Sequence, residues 1–124
     1  MTKLSLFPRV AFGAALLFAF HGAAHANSAA AQMTAGYTQM CVEQAAKMPK
    51  PYGEWDLKGH PKLGKYCDCF APLFAARALK AAQFMEKNPG KAAPGTAEEN
   101  MKGELAMRNT CRKQLGLPLA VDAG

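Results

Sequence analysis

Four cysteines, at positions 41, 67, 69 and 111, constrain the fold more than any other feature of this 124-residue sequence. An even number of cysteines in an exported chain favours a disulfide framework. A bond between Cys67 and Cys69 would close a strained ring and would hold no distant parts of the chain together. We therefore expect Cys41 to pair with one of these two cysteines and Cys111 with the other, and both assignments stay open.

Residues 1–26 have the pattern of a cleaved export signal. Lys3 and Arg9 precede an apolar run, and Ala24-His25-Ala26 is a small-residue cleavage site. The apolar run is too short to cross a bilayer, and no later stretch is suited to cross one. We therefore expect a periplasmic or secreted protein that does not span the membrane, in a compartment that oxidises thiols.

The composition of residues 27–124 favours a single, all-α domain. The whole sequence contains no isoleucine, and beyond the signal its only valines are Val42 and Val121. Sheets depend on β-branched side chains, whereas the abundant alanines cost a helix no side-chain entropy. The signal holds two basic and no acidic residues, so a formal charge of +4 remains. Without a basic stripe, this modest charge gives no reason to expect nucleic-acid binding.

Apolar residues recur at helical spacing in three segments. Helix 1 should end before Pro49, which disfavours helical geometry in the preceding residue. Asp68 is a candidate N-cap for helix 2, which would place Pro72 in the first turn, where its missing N–H is not needed. The predicted helices cover about 30–48, 69–87 and 97–115.

The third helix has the clearest boundaries. Thr96 and Glu99 form a capping box, in which each side chain bonds the free backbone N–H of the other residue. Gly116 supplies a left-handed stop, and Pro118 prevents continuation. We expect the residues after Pro118 to fray. The predicted fold is therefore a small three-helix domain stapled by disulfides, with a long irregular loop between helices 1 and 2.

That loop, residues 49–66, contains three prolines and three glycines. Loops of this length are uncommon and tend to be functional or disordered. Tyr52, Trp55 and Tyr66 stand among its lysines, and such aromatic residues often anchor interfaces. We predict that they bind a partner, either an envelope protein or a cell-wall polymer. The alternative is that Trp55 covers the core as a lid.

Three arginines fall on or beside the apolar faces of the predicted helices. Arg77 lies near the centre of the helix 2 stripe, and Arg108 and Arg112 lie near the inner face of helix 3. Long arginine stems can cover apolar surface while the guanidinium reaches water or a carboxylate. The functional alternative is a site for an anion or a partner, so Arg77 joins the candidate partner-binding residues.

The sequence contains no recognisable catalytic, cofactor or zinc motif. His60 lies in the loop with no nucleophile or orienting acid linked to it by a motif, and Cys-x-Cys is not the usual zinc spacing. An alternative function is Cu(I) or thiol-redox handling by the Cys-x-Cys element, since thiolates and thioethers suit that ion. The methionines available for this are Met33, Met40, Met48, Met85, Met101 and Met107.

These observations favour a non-catalytic role. We expect an exported binding or inhibitory module, comparable to an immunity protein, that acts in the cell envelope without a cofactor. The sequence does not identify the partner or the oligomeric state.

Overall fold

A computed structural model describes residues 21–121, with the side chains of residues 27–121. Over this range the chain forms three α-helices and no strand, which confirms the all-α, three-helix fold with a long loop between the first two helices. The helices are α1 (His21–Gln44), α2 (Leu63–Lys87) and α3 (Ala97–Gln114). Residues 1–20 of the predicted signal lie outside the described residues, and α1 runs through the predicted cleavage point.

Helix α1 gives way to a 3₁₀ turn, Ala45–Lys47, before the chain leaves helical geometry. Met48 is extended, with φ −88° and ψ 135°, as expected for a residue that precedes proline. The loop that follows contains a second 3₁₀ turn, Trp55–Leu57, so it is partly ordered by local hydrogen bonds.

Helix α2 begins at Leu63, six residues before the predicted start. The assignment of Asp68 as N-cap was therefore wrong, because Asp68 lies inside the helix. Pro72 is also an interior residue and has no N–H to donate to the Asp68 carbonyl. Tyr66 and Cys67, in the added turn, are fully buried. Burial and cross-linking of this turn offset the cost of an interior proline.

Both ends of α3 match their predictions. The Thr96 hydroxyl accepts a hydrogen bond from the Glu99 N–H at 3.1 Å, and the Glu99 carboxylate accepts from the Thr96 N–H at 2.7 Å. At the other end Gly116 has φ 65°. The Gly116 and Leu117 N–H groups donate to the carbonyls of Lys113 and Arg112, which is the Schellman arrangement.

Helix α2 is the central helix, and α1 and α3 both pack against it in antiparallel orientation. On one side the Tyr37 ring meets the Phe74 ring edge-on at 4.7 Å. On the other side the Arg77 guanidinium donates to the Asn100 carbonyl at 3.0 Å. Since both neighbours run antiparallel to α2, α1 and α3 are parallel to each other and leave a groove between them.

The buried core is small and surrounds the disulfides. Its fully or nearly buried members are Cys41, Leu57, Tyr66, Cys67, Cys111 and Leu117. The expectation that the chain frays after Pro118 was wrong for residues 119–121. Ala120 is buried, and its backbone N–H and carbonyl form hydrogen bonds with the Asn109 side chain, at 2.8 and 3.2 Å. Residues 122–124 lie outside the described residues. The Pro118 carbonyl also accepts from Arg112 at 2.7 Å.

Within residues 21–121, no helix combines the length and the apolar character needed to cross a membrane.

Candidate functional site

Two disulfides connect α2 to its neighbours. Cys41 on α1 is bonded to Cys67, and Cys111 on α3 is bonded to Cys69, with Cα–Cα distances of 5.6 and 5.7 Å. Two residues that are two positions apart in a helix are related by a rotation of about 200° around its axis. Cys67 and Cys69 therefore face different neighbours. This confirms that disulfides join the three helices and selects one of the two pairings.

The carboxylate of Glu54 is the centre of a buried ion cluster that joins the loop to α3. Its Oε1 atom accepts from the Arg108 Nε–H at 2.6 Å and also from the Tyr66 hydroxyl. Its Oε2 atom accepts from an N–H of Arg112. Arg112 is fully buried and Glu54 and Arg108 are nearly so, which places all of these charges away from water.

The same two arginines hold other parts of the loop. Arg112 makes a bidentate pair with Asp56, with distances of 2.8 and 3.0 Å. Arg108 donates to the Pro51 carbonyl at 2.7 Å and to the Gly53 carbonyl at 3.0 Å. The loop is therefore fixed against α3 by charge-assisted hydrogen bonds, which are stronger than neutral ones.

The pKa values of the cluster follow from these contacts. Burial by itself would raise the pKa of Glu54, but hydrogen bonds from Arg108, Tyr66 and Arg112 outweigh it and hold the pKa below its usual value. The hydrogen bonds from Arg112 likewise lower the pKa of Asp56. Burial and the neighbouring Glu54 charge raise the pKa of the Tyr66 hydroxyl. Glu54 is thus held ionised, and the cluster acts as a structural anchor.

The four residues predicted to bind a partner have different surroundings in the structure. Tyr66 lies in α2, is fully buried and donates to Glu54, so its assignment as a contact residue of the loop surface was wrong. Arg77 is engaged with Asn100, donating to its backbone carbonyl at 3.0 Å and to its side-chain oxygen at 2.6 Å.

The other two predicted residues are exposed but differ in their surroundings. Trp55 is half exposed, and the Lys58 ammonium lies over its ring at 4.7 Å from the centroid. Tyr52 is 68 % exposed and borders the groove between α1 and α3. Tyr52 is therefore the most exposed of the four and borders the groove, whereas Arg77 is half-buried in the wall of a neighbouring cavity.

The α1–α3 groove is an apolar concavity lined by several aromatic side chains. It has a volume of about 260 Å³. Phe70 and Phe74 of α2 form its floor, with ring centroids 5.5 Å apart. Tyr37 of α1 and Glu104 of α3 stand on opposite sides of it. Such a cleft, lined by aromatic groups with few polar ones, is typical of binding sites.

Half-exposed methionines surround this floor. Met40 and Met48 line the groove from α1 and the start of the loop. Met101 of α3 borders the two adjoining cavities, which share Glu104 with the groove. Methionine side chains are flexible and polarizable, so they adapt to differently shaped apolar partners.

The carboxylates Glu54, Asp56 and Glu104 were not identified as important from the sequence. The roles of Glu54 and Asp56 could have been predicted. Arg108 and Arg112 on an inner face require buried carboxylates, and the loop contains only these two acidic residues. The role of Glu104 could not have been predicted, since its place in the groove depends on how α1 and α3 are arranged around α2.

The alternative reading of the cysteines as a metal or redox site depends on sulfur atoms that are in disulfides here. All four cysteines are bonded, and Cys67 and Cys111 are fully buried. Among the side chains of residues 27–121, no group of three or more His, Cys, Asp or Glu is arranged to hold a metal ion.

Comparisons with known proteins assign no family to the chain. No protein-family model, no curated protein and no solved structure matches it. The function is therefore inferred from the groove and its surroundings.

Proposed function

We propose that this protein is a non-catalytic binding module of the cell envelope, and that it binds or inhibits a partner protein in the manner of an immunity protein. The α1–α3 groove is the proposed binding surface. Two disulfides in a small domain are compatible with an oxidising environment outside the cytoplasm, which agrees with the export signal predicted from residues 1–26.

The observation that carries this proposal is the combination of an adaptable apolar groove with a cross-linked frame. Met40, Met101 and Tyr52 are all about half exposed or more around the groove. Exposed apolar groups gathered at one concave surface are typical of interaction sites. Because disulfides and the ion cluster fix the surrounding elements, binding costs little further ordering, which favours affinity.

The exposed loop is the competing surface for the same function. Trp55 is exposed but its ring is covered on one side by Lys58, and the loop backbone is held against α3 by arginines. This arrangement supports the groove over the loop as the contact surface, and the two are separable by substitution.

Affinity capture from an envelope extract of the producing cells tests the proposal. We would compare the wild type with Met101→Glu in the groove region and with Val42→Glu on α1. The two residues are 48 % and 44 % exposed, and neither is part of the buried core. Val42 lines a cavity that shares no residue with the groove, so the substitutions are matched in burial and in charge but lie on different surfaces.

We expect one protein to be retained by the wild type and by Val42→Glu, and to be lost with Met101→Glu. Retention of the same protein by all three variants, together with its loss in Trp55→Ala, would move the binding surface to the loop. If nothing is retained specifically by the wild type, the binding function itself is rejected. Circular dichroism of each variant confirms that its helices are intact.

A further inference from the structure

We propose that the occupant of the α1–α3 groove is an amphipathic helix of the partner, which places a lysine or arginine beside Glu104. This inference rests on the binding function proposed above and specifies the chemistry of the partner. It follows from the length of the groove, from the character of its lining and from the charge at its centre.

The groove is longer than its central cavity. A second cavity of about 270 Å³ continues along α2, lined by Ala78 and Ala81, and shares Phe74 and Glu104 with the first. From Phe70 to Ala81 the helix axis rises about 16 Å, which corresponds to about three turns of a partner helix. A helix lying there would pack on α2 between α1 and α3 and would complete a four-helix arrangement.

The lining suits the apolar face of a helix. The small side chains of Ala78 and Ala81 leave room for a neighbouring helix to approach α2, and Phe70 and Phe74 provide ridges one turn apart. Met40 and Met101 stand half exposed at the sides. Grooves of this type bind helices through apolar residues that recur every three or four positions.

Glu104 supplies the charge preference. It lines all three adjoining cavities, and no lysine or arginine among residues 27–121 forms an ion pair with it. Of the neighbouring cations, Arg108 is paired with Glu54 and Arg77 donates to Asn100. A basic residue on the partner would therefore find at the groove a carboxylate that forms no ion pair within residues 27–121.

The overall charge of the protein makes this preference testable. The chain is basic, with a formal charge of +6, or +4 without the predicted signal, so its long-range field attracts acidic partners. A preference for a basic helix must consequently come from the local carboxylate. The long-range field favours acidic partners and Glu104 favours a basic residue, and added salt weakens the long-range field first.

Two synthetic helical peptides of about 15 residues would test the proposal. They share one leucine and methionine face and differ in a single central residue at its edge, lysine or glutamate. Binding of each labelled peptide to the disulfide-bonded protein would be measured by fluorescence anisotropy at physiological salt. The protein variants are Glu104→Gln and, as a matched control on the same helix, Glu98→Gln, whose carboxylate is exposed and pairs with Lys102.

We expect the lysine peptide to bind about five-fold more tightly than the glutamate peptide, since an attractive contact replaces a repulsive one. Glu104→Gln should remove most of this difference and Glu98→Gln should leave it unchanged. Met101→Gln should weaken the binding of both peptides, and Val42→Gln should weaken neither. Equal binding of the two peptides, tighter binding of the glutamate peptide, or an unchanged ratio in Glu104→Gln overturns the proposal.

Other occupants give different outcomes, and each also overturns the proposal. A second copy of the chain would appear as self-association in sedimentation that Met101→Gln abolishes. A lipid surface would appear as Met101-dependent binding to vesicles of phosphatidylglycerol, with no peptide binding. If capture from the envelope depends on Met101 but neither peptide binds, the binding function stands and only the helical occupant is rejected.

Discussion

At the scale of single residues, the Glu54 side chain joins three parts of the molecule. It belongs to the loop, yet its carboxylate accepts hydrogen bonds from Arg108 and Arg112 of α3 and from Tyr66 of α2. An isolated buried charge would be costly, and here each charge has partners of the opposite sign. Removal of the central carboxylate leaves Arg108 without an ion-pair partner and Arg112 with Asp56 alone.

We therefore expect Glu54→Gln to destabilise the protein strongly. The amide keeps the size of the side chain but removes its charge, and the loss of one partner from a buried ion pair costs about 3–5 kcal/mol. Urea unfolding at neutral pH measures this change. In the matched substitution Glu98→Gln the exposed pair with Lys102 is lost, at a cost of less than about 1 kcal/mol. Similar midpoints for the two variants would show that the Glu54 cluster contributes no more than a surface pair.

At the scale of helices, the sequence was most informative where side chains near one another in the chain determine the structure. The capping box at Thr96 and the glycine stop at Gly116 both depend on residues within a few positions, and both were predicted correctly. The start of α2 was missed because the turn containing Tyr66 is stabilised by distant groups, among them Glu54 and the Cys41–Cys67 bond. A local pattern carries no information about such contacts.

The presence of a glycine at position 103, inside α3, is also explained by a residue distant in the sequence. A glycine within a helix costs about 1 kcal/mol relative to alanine, and in α3 its sequence neighbours give no reason for it. In the structure, a Cβ atom at this position would lie 2.4 Å from the Nη1 atom of Arg77. The glycine therefore allows the Arg77 guanidinium to lie against α3 and to donate to Asn100.

We predict that Gly103→Ala has different effects with and without Arg77. In the wild type, the gain in helix propensity is offset by displacement of the guanidinium, so stability should change by less than about 0.5 kcal/mol. In an Arg77→Ala background the same substitution should stabilise the protein by about 1 kcal/mol. A double-mutant cycle measured by urea unfolding gives the coupling directly.

The control for this cycle is Gly36→Ala in α1, where no heavy atom lies within 4 Å of the added Cβ. This substitution should stabilise the protein by about 1 kcal/mol whether or not Arg77 is present. An equal effect of Gly103→Ala in the two backgrounds would show that Arg77 does not account for the glycine.

At the scale of the whole molecule, covalent and ionic links hold together a domain with few large buried side chains. Leu57, Tyr66 and Leu117 are the only buried residues of the described chain that are apolar and larger than cysteine. Each disulfide, closing a loop of 26 or 42 residues, contributes about 3–4 kcal/mol in the chain-entropy account. The small number of large apolar residues and the four cysteines are evident in the sequence. The ionic contribution could not be predicted from it, because that contribution depends on the path of the loop.

The ionic contribution gives the whole molecule a defined dependence on pH. The pKa values of Glu54 and Asp56 are below their usual values in the folded protein. Their stabilisation is therefore complete above the pKa values of the unfolded chain, near 4, and is lost as the pH falls through the lower folded values. The pKa of Tyr66 is raised above its usual value of 10.0, so stability should also fall above about pH 10.

Urea unfolding from pH 2 to pH 11 tests this dependence with two conservative variants. Asp56→Asn should reduce the slope of stability against pH on the acid side by up to about 1.4 kcal/mol per pH unit, the value for one proton. Tyr66→Phe removes the hydroxyl that titrates, so the fall above about pH 10 should become shallower. It also removes a hydrogen bond that lowers the pKa of Glu54, so part of the acid-side slope should be lost with it. An acid slope in Asp56→Asn equal to that of the wild type would show that the loop carboxylate does not link folding to protonation. An alkaline fall that survives unchanged in Tyr66→Phe would show that the Tyr66 hydroxyl does not cause it.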